Sequence, residues 1–153
     1  MARKLKMLFL CTGNSCRSQM AEGWARALKG DVIEAYSAGI EARGLDPFAV
    51  QVMAEAGVDI SGQSSKTVEA VKDAPFDYVV TLCGHANETC PMWLGQKARV
   101  IHVGFEDPPA LARSAKNKEE ALEIYRRVRD KIRSFVERLP AALEAAEKRQ
   151  KEA

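Results

Sequence analysis

The chain has 153 residues, of which 46% are hydrophobic and 29% are charged, with a formal net charge of +2. This length supports one domain with a substantial core, and the small net charge argues against nucleic acid as a partner. No stretch approaches the ~20 apolar residues of a membrane span, and the basic start of the chain lacks the apolar region of a signal peptide. We therefore expect a cytoplasmic protein without a membrane partner, in which the four cysteines are reduced and available for chemistry.

The first predicted strand ends at Cys11, and a helical pattern begins at Ser18. The intervening loop is long enough to curl backbone N–H groups around a tetrahedral anion, while the helix N-terminus adds positive potential. Arg17 can bind two oxygens through its planar guanidinium, and Gly13 and Asn14 suit the left-handed backbone angles of a tight curl. With a hydrogen bond from Ser18, the cysteine becomes a thiolate nucleophile. The predicted oxyanion-binding residues are Thr12, Gly13, Asn14, Ser15, Cys16, Arg17 and Ser18.

Strand and helix patterns alternate along the chain. Strands are predicted at residues 7–10, 32–37, 77–82 and 99–103, and helices at residues 47–56, 67–71 and 118–139. The inward face of the last helix is predicted to carry Ala121, Ile124, Tyr125, Val128, Ile132 and Val136. This alternation predicts a single-domain α/β fold with a four-stranded parallel sheet, helices on both faces, and the catalytic loop between the first strand and the first helix.

Pro140 interrupts the last helical pattern. It divides the chain into a domain at residues 1–139 and a charged helical tail at residues 140–153. We expect this tail to fray, because charged chain ends are usually loose. Docking of the tail and dimerisation through it stay open as alternatives.

A second cysteine pair follows the third predicted strand. Because parallel strands end at the same edge of a sheet, Cys83 is expected close to Cys11. If the segment from Cys83 to Cys90 is helical in the reduced protein, its ends are ~10 Å apart along the helix, whereas a disulfide needs Cα atoms within ~7 Å. Gly84 and Pro91 flank the segment, and its polar interior offers little apolar surface. We therefore expect the segment to unwind on oxidation.

Asp107 follows the fourth predicted strand, at the edge where ligands of open α/β sheets bind. A carboxyl group in this position suits a general acid. Glu106 is a rival for that role, and a turn-forming function before Pro108 is the alternative for Asp107 itself.

Several separate motifs resemble the low-molecular-weight protein tyrosine phosphatase family and, more narrowly, the thioredoxin-coupled arsenate reductases built on that fold. The resemblance runs from about residue 6 to about residue 136, through Cys-Thr-Gly-Asn-Ser-Cys-Arg-Ser from position 11, Tyr-Ser-Ala-Gly-Ile from 36, Val-Val-Thr-Leu-Cys-Gly from 79 and Glu-Asp-Pro from 106. It implies that Cys11 is the nucleophile, that Arg17 and the loop amides bind the oxyanion, and that Asp107 is the acid. The phosphatases typically have aromatic residues just after the acid, whereas here Pro109 and Ala110 follow, which favours the reductases.

The resemblance implies reduction of arsenate to arsenite for arsenic detoxification, with no bound cofactor and with electrons from thioredoxin. Cys11 attacks arsenate with Asp107 as acid, Cys83 attacks the Cys11 sulfur to release arsenite, and Cys90 attacks Cys83 to form the disulfide that thioredoxin reduces. Cys16 has no necessary step and is expected to be a small loop residue, with oxidation to Cys11 as the alternative. We expect a monomer with weak phosphatase side activity. A tyrosine phosphatase, and a thiol sensor or arsenite-binding protein, are the alternative functions.

The resemblance also bears on an ion site. Some of these reductases hold a potassium ion behind the catalytic loop, with ligands that would map to Asn14, Glu22 and Ser37 and to an acidic residue after a Thr-Ser pair. Here two serines are followed by Lys66. We expect its ammonium group to take the place of the cation near Glu22, giving weak or absent potassium dependence. No other metal site is expected.

Overall fold

Four parallel strands form one sheet in the order β2-β1-β3-β4. The computed structural model describes residues 3–152, with the side chains of residues 96, 97 and 152 left aside. The strands are β1, Leu5–Cys11; β2, Ile33–Gly39; β3, Tyr78–Thr81; and β4, Arg99–His102. Register pairs Cys11 of β1 with Gly39 of β2 and Leu10 of β1 with Thr81 of β3. The predicted four-stranded parallel sheet is confirmed, and the catalytic loop leaves it from a central strand.

Helices flank this sheet on both sides. Met7, Leu8, Phe9 and Leu10 of β1 are all fully buried. Because successive strand residues point to opposite faces, both faces of the sheet must be covered. The helices are α1, Arg17–Lys29; α2, Pro47–Glu55; α3, Gly84–Thr89; α4, Met92–Lys97; α5, Pro108–Ala112; α6, Lys118–Glu137; and α7, Ala141–Glu152, with a 3-10 helix at Val68–Val71. Within residues 3–152, no helix is long and apolar enough to cross a membrane.

The predicted elements match the observed ones with small shifts at their ends. Strand β2 runs on to Gly39 because it pairs with β1 along the whole of that strand. Short helices α4 and α5 were not predicted, since neither is long enough to show a helical period. In α6, Ile124 is only half-buried, whereas Leu122 and Phe135 belong to the buried face. The ring of Phe135 packs edge-on against Phe105, with ring centroids 6.0 Å apart, which brings it into the core.

The C-terminal tail forms a helix packed against the domain in this structure, whereas fraying was expected. Helix α7 buries Leu143 and Ala146. The side-chain oxygen of Gln150 accepts a hydrogen bond of 2.6 Å from the backbone N–H of His102 in β4. Since β4 is an edge strand, this contact occupies a backbone donor that would otherwise be exposed. The tail has a small apolar face, which is hard to recognise in the sequence because most of its other residues are charged.

Docking of the tail predicts a clear effect on stability. Leu143→Ala is expected to lower the free energy of unfolding by about 2 kcal/mol or more, because truncating a buried leucine leaves a cavity. Glu144→Ala, at the exposed neighbouring position, is expected to change it little. Urea unfolding followed by circular dichroism measures both. Equal, small effects of the two substitutions would show that the tail frays in solution.

Candidate active site

A cavity of about 210 Å³ opens at the carboxyl edge of the sheet, where the loop after β1 meets the segments after β2 and β4. Ligands of open α/β sheets bind at this edge. The residues that line the cavity are Cys11, Thr12, Gly13, Ser15, Cys16, Arg17, Arg43, Asp107, Pro109 and Arg113. The structure thus brings the predicted nucleophile, oxyanion loop and acid together in one site.

The carbonyl groups of the catalytic loop are held by the segment that follows β2. Backbone N–H groups of residues 40–46 donate to the carbonyl oxygens of Cys11, Thr12, Gly13 and Ser15, at 2.8 to 3.2 Å. The Asn14 carbonyl accepts from the Gln19 side chain at 3.1 Å. Because the carbonyl oxygens are engaged by the surrounding protein, the N–H groups of the loop are left to face an anion in the cavity.

The catalytic loop depends on the left-handed backbone of Asn14 and on the missing side chains of Gly13 and Gly39. Asn14 has the predicted left-handed backbone, with φ of 48°, but Gly13 is not among the residues with positive φ. At Gly13 the missing side chain makes room for Arg43, since a Cβ atom there would lie 2.7 Å from the Arg43 Cδ. At Gly39 a Cβ atom would lie 2.8 Å from the Thr12 oxygen and 2.7 Å from the Asn14 nitrogen. The end of β2 therefore supports the loop by direct backbone contact.

A buried chain of hydrogen bonds leads to the Cys11 sulfur. The backbone N–H of Lys66 donates to the Asn14 side-chain oxygen at 2.9 Å, and the Asn14 amide nitrogen donates to the Ser18 hydroxyl at 2.8 Å. A backbone N–H can only donate, so this contact fixes which way the Asn14 amide points. The Ser18 hydroxyl proton is then free for Cys11, whose sulfur lies 2.8 Å from the Ser18 oxygen. Ser18 is therefore placed to donate a hydrogen bond to the sulfur of the nucleophile.

Ser18→Ala is expected to reduce alkylation of Cys11 by iodoacetamide at neutral pH about tenfold. A hydrogen bond to a charged group contributes roughly 1.5–3 kcal/mol, and Ser18→Ala removes the donor next to the reacting sulfur. Mass spectrometry that resolves each cysteine measures the rate. Ser61→Ala, at an exposed position away from the loop, is the control. An unchanged Cys11 rate in Ser18→Ala would remove Ser18 from the activation of the nucleophile.

Arg17 is positioned between the loop and Asp107. Its side chain is only 11% exposed. One guanidinium nitrogen donates to the Phe105 carbonyl at 3.1 Å, and the other lies 3.7 Å from the Asp107 carboxylate. The guanidinium is therefore fixed at the cavity, with the carboxyl group of Asp107 beside it.

Glu106 lies outside the cavity and is engaged elsewhere. Its carboxylate lies 3.1 Å from Lys131 and 3.6 Å from Arg127, both on α6. The hydrogen bond from Lys131 lowers the pKa of Glu106, which makes it a poor proton donor. Of the two neighbouring carboxyl groups, Asp107 alone lines the cavity, so the geometry favours Asp107 as the acid.

Cys83 lies at the N-terminus of α3, beside the catalytic loop. Its sulfur is 3.2 Å from the Thr12 hydroxyl oxygen and accepts a hydrogen bond of 3.4 Å from the Ala86 backbone N–H. Thr12 is the residue directly after Cys11, so Cys83 contacts the catalytic loop next to the predicted nucleophile. The Cys83 sulfur is thus held between the catalytic loop and the first turn of α3.

Cys90 caps the other end of α3, and the segment between the two cysteines is helical as expected. All four cysteines are free thiols. Cys90 is half-buried, and burial raises its pKa. Helix α3 buries only Ala86, and its one described side-chain bond to the sheet joins Asn87 to the Thr81 hydroxyl at 3.1 Å. So few contacts leave the helix weakly held.

Cys16 behaves as a buried loop residue. It precedes α1 and is 4% exposed. Burial, followed by the nearby charge of Asp46, raises the pKa of the Cys16 thiol well above its usual value. A buried neutral thiol is a poor nucleophile, in keeping with a residue that has no step in the chemistry.

Lys66 was expected to place its ammonium group near Glu22 instead of a potassium ion, and the structure agrees with this only in part. Glu22 accepts a hydrogen bond of 2.6 Å from Ser37 and forms an ion pair with Arg26 at 2.8 Å. The Lys66 ammonium donates to the Ser64 carbonyl at 2.8 Å, and burial lowers its pKa. The direct counter-ion of Glu22 is thus Arg26. Among residues 3–152, no group of three or more His, Cys, Asp or Glu side chains is arranged to hold a metal ion.

Sequence reasoning missed two residues of the cavity, Arg43 and Arg113. Neither lies in a motif. The available signal was their position, since each belongs to a segment that follows a strand end, and such segments gather at this edge of the sheet.

Comparison with known proteins agrees with this geometry. The family model for low molecular weight phosphotyrosine protein phosphatase matches residues 6–150. The chain belongs to this family. Among curated family members, the arsenate reductase of Halalkalibacterium halodurans is 52% identical over 129 residues, covering 84% of this chain and 90% of that protein. The arsenate reductase of Bacillus subtilis is 52% identical over 124 residues, covering 81% and 86%.

Solved structures of the low molecular weight phosphatase family have the same fold. An arsenate reductase in the phosphate binding state superposes with a TM-score of 0.74 and 37% identity, covering 90% of this chain and 97% of that chain. The YwlE arginine phosphatase shares the fold, with a TM-score of 0.70 at 21% identity. The family resemblance inferred from the motifs is confirmed.

Proposed function

We propose that this protein reduces arsenate to arsenite with Cys11, Cys83 and Cys90 acting in turn. Relatives about half identical in sequence are arsenate reductases. The observation that carries the proposal is the position of Cys83, whose sulfur lies 3.2 Å from the hydroxyl of Thr12, next to the nucleophile. A phosphatase needs no second thiol there, whereas a reductase needs one to supply electrons.

In the first step the loop N–H groups and Arg17 hold the arsenate oxygens. The Cys11 thiolate attacks arsenic, and a sulfur–arsenic bond forms. Asp107 gives its proton to the departing oxygen, which leaves as water. Arsenic is still pentavalent in this adduct.

Electron transfer follows at sulfur. The Cys83 thiolate attacks the Cys11 sulfur, so a disulfide forms, the sulfur–arsenic bond breaks, and its electron pair reduces arsenic to the trivalent state. Arsenite takes up protons and leaves. Cys90 then attacks Cys83 and releases Cys11 as a thiolate. Two thiols have together supplied the two electrons.

The disulfide between Cys83 and Cys90 cannot form on the intact helix α3, because these residues flank the helix and seven residues of helical rise span ~10 Å, where ~7 Å between Cα atoms is the limit. The weak attachment of α3 supports local unwinding, which exposes the disulfide to the dithiol of thioredoxin. The proposal involves a monomer with no bound cofactor, because one chain supplies every reacting group, and it places the protein in the cytoplasm, where thiols are kept reduced.

A phosphatase is the second candidate, because Cys11, Arg17 and Asp107 suffice for phosphoester hydrolysis. The cavity argues against aryl phosphates as its main substrates. None of the described residues that line it is aromatic, and Pro109 lies directly after the acid loop. Weak phosphatase activity beside arsenate reduction is consistent with this arrangement.

The proposal is tested by arsenate-dependent oxidation of NADPH in the presence of thioredoxin and thioredoxin reductase. Sustained oxidation is expected, and it should stop when thioredoxin is omitted or phosphate replaces arsenate. Hydrolysis of p-nitrophenyl phosphate is measured on the same preparation. Phosphoester hydrolysis without arsenate-dependent oxidation would identify a phosphatase, while arsenite binding without either activity would identify a binding protein.

A further inference from the structure

The charge of the cavity is larger than the oxyanion loop requires. Three arginines and one aspartate line it, and of the arginines only Arg17 belongs to the loop. Arg17 is already engaged with the Phe105 carbonyl and with Asp107. The other two arginines, Arg43 and Arg113, come from different elements and have no role in the steps above.

Arg43 is held against the catalytic loop by a backbone hydrogen bond and by packing of its side-chain methylene groups against Gly13. Its N–H donates to the Gly13 carbonyl at 2.9 Å, and its Cδ lies where a side chain on Gly13 would be. The guanidinium pairs with Glu41 through Nε at 2.9 Å, while the side chain is 58% exposed. Arg43 lines the cavity, and within the described residues its other guanidinium N–H groups form no hydrogen bond.

Arg113 directly follows α5, the short helix that begins after Asp107. Helix α5 packs against α6, so Arg113 is attached to a supported element. Within residues 3–152, no carboxylate lies within ion-pair distance of Arg113, whereas Arg43 has Glu41. An unneutralised guanidinium beside a small cavity raises the local concentration of anions.

We propose that Arg43 and Arg113 form an outer guanidinium pair that makes this site selective for a free, doubly charged tetrahedral oxyanion. This inference rests on the proposed function in taking arsenate as the substrate. Arg43 and Arg113 place guanidinium groups at the cavity in addition to Arg17, and this positive charge suits the two negative charges of arsenate at neutral pH.

The same pair favours product release and disfavours esters. Arsenious acid is neutral at pH 7, so the product loses the attraction that captured the substrate. A phosphomonoester turns its ester group toward the mouth of the cavity, where an apolar group would meet two guanidiniums that need polar partners. The pair therefore adds selectivity without taking part in bond making.

The test compares Arg43→Gln, Arg113→Gln and the double variant with Arg3→Gln. Arg3 is a matched control, because it pairs with Asp77 at the amino edge of the sheet. Calorimetry with inorganic phosphate measures anion binding without any redox step. Each substitution is expected to raise the Kd for phosphate and the KM for arsenate about fivefold, and the double variant about twentyfold, with kcat within about twofold. Arg113→Lys should keep most of the affinity, since the effect is one of charge.

Salt and ester substrates supply the decisive readouts. The affinity of the unsubstituted protein for phosphate should fall as ionic strength rises, and the affinity of the double variant should depend less on ionic strength. Hydrolysis of p-nitrophenyl phosphate should lose less kcat/KM than arsenate reduction. A double variant that binds phosphate as tightly as Arg3→Gln, or equal losses for ester and arsenate, would overturn the inference. If phosphate binding depended on these arginines but arsenate were not reduced, the proposed function would be wrong, and the role of the outer guanidinium pair in anion binding would still hold.

Discussion

Replacing Cys90 by serine is expected to limit the protein to one turnover. In Cys90→Ser the first two steps proceed, one arsenite is released per chain, and the protein stops as a disulfide between Cys11 and Cys83. No thiol is then positioned to free Cys11. Steady-state oxidation of NADPH with thioredoxin should fall by at least about a hundredfold, to the rate of direct attack on a disulfide buried beside the catalytic loop.

Comparison with Cys83→Ser shows which of the two cysteines reacts first. That variant should release no arsenite, because the electron pair for arsenic comes from attack by Cys83. Glu88→Gln, an exposed change on the same helix, should keep full turnover. Arsenite released per chain, together with mass spectrometry of the trapped disulfide, gives the measurement. Sustained turnover by Cys90→Ser would show that thioredoxin reduces the first disulfide directly and that Cys90 is dispensable.

The positions of the reacting groups could be predicted from the sequence because each follows the end of a strand. A buried apolar run stops at Cys11, another stops just before Cys83, and a third stops shortly before Asp107. In a parallel sheet these three ends must share one edge, whatever the details of packing. Strand pattern and sheet topology were therefore enough to bring the three residues together.

Other features depend on contacts between distant parts of the chain, and local pattern does not contain them. Arg43 points at the cavity because Gly13 has no side chain. The tail docks because Leu143 finds an apolar surface beside β4. Each outcome was settled by tertiary packing, which overrides composition.

Removing the carboxyl group of Asp107, and not that of its neighbour Glu106, is expected to cause the second large loss of activity. Asp107→Asn keeps the size and hydrogen-bonding capacity of the side chain but cannot supply a proton to the departing oxygen. We expect kcat for arsenate to fall about 10²–10³-fold, the usual contribution of a general acid. Phosphate binding should stay nearly unchanged, because the loop N–H groups and Arg17 still hold the anion.

Glu106→Gln is the matched control, since it makes the same chemical change one residue away. It weakens the contacts with Lys131 and Arg127 on α6, which are exposed pairs of small energetic weight, and it should leave kcat within about twofold. The two variants are compared by kcat at saturating arsenate with excess thioredoxin and by calorimetry with phosphate. If Glu106→Gln caused the large loss and Asp107→Asn did not, the acid loop would have to turn during the reaction. The cavity seen here would then be that of a resting state, because Asp107 is the carboxyl group that lines it.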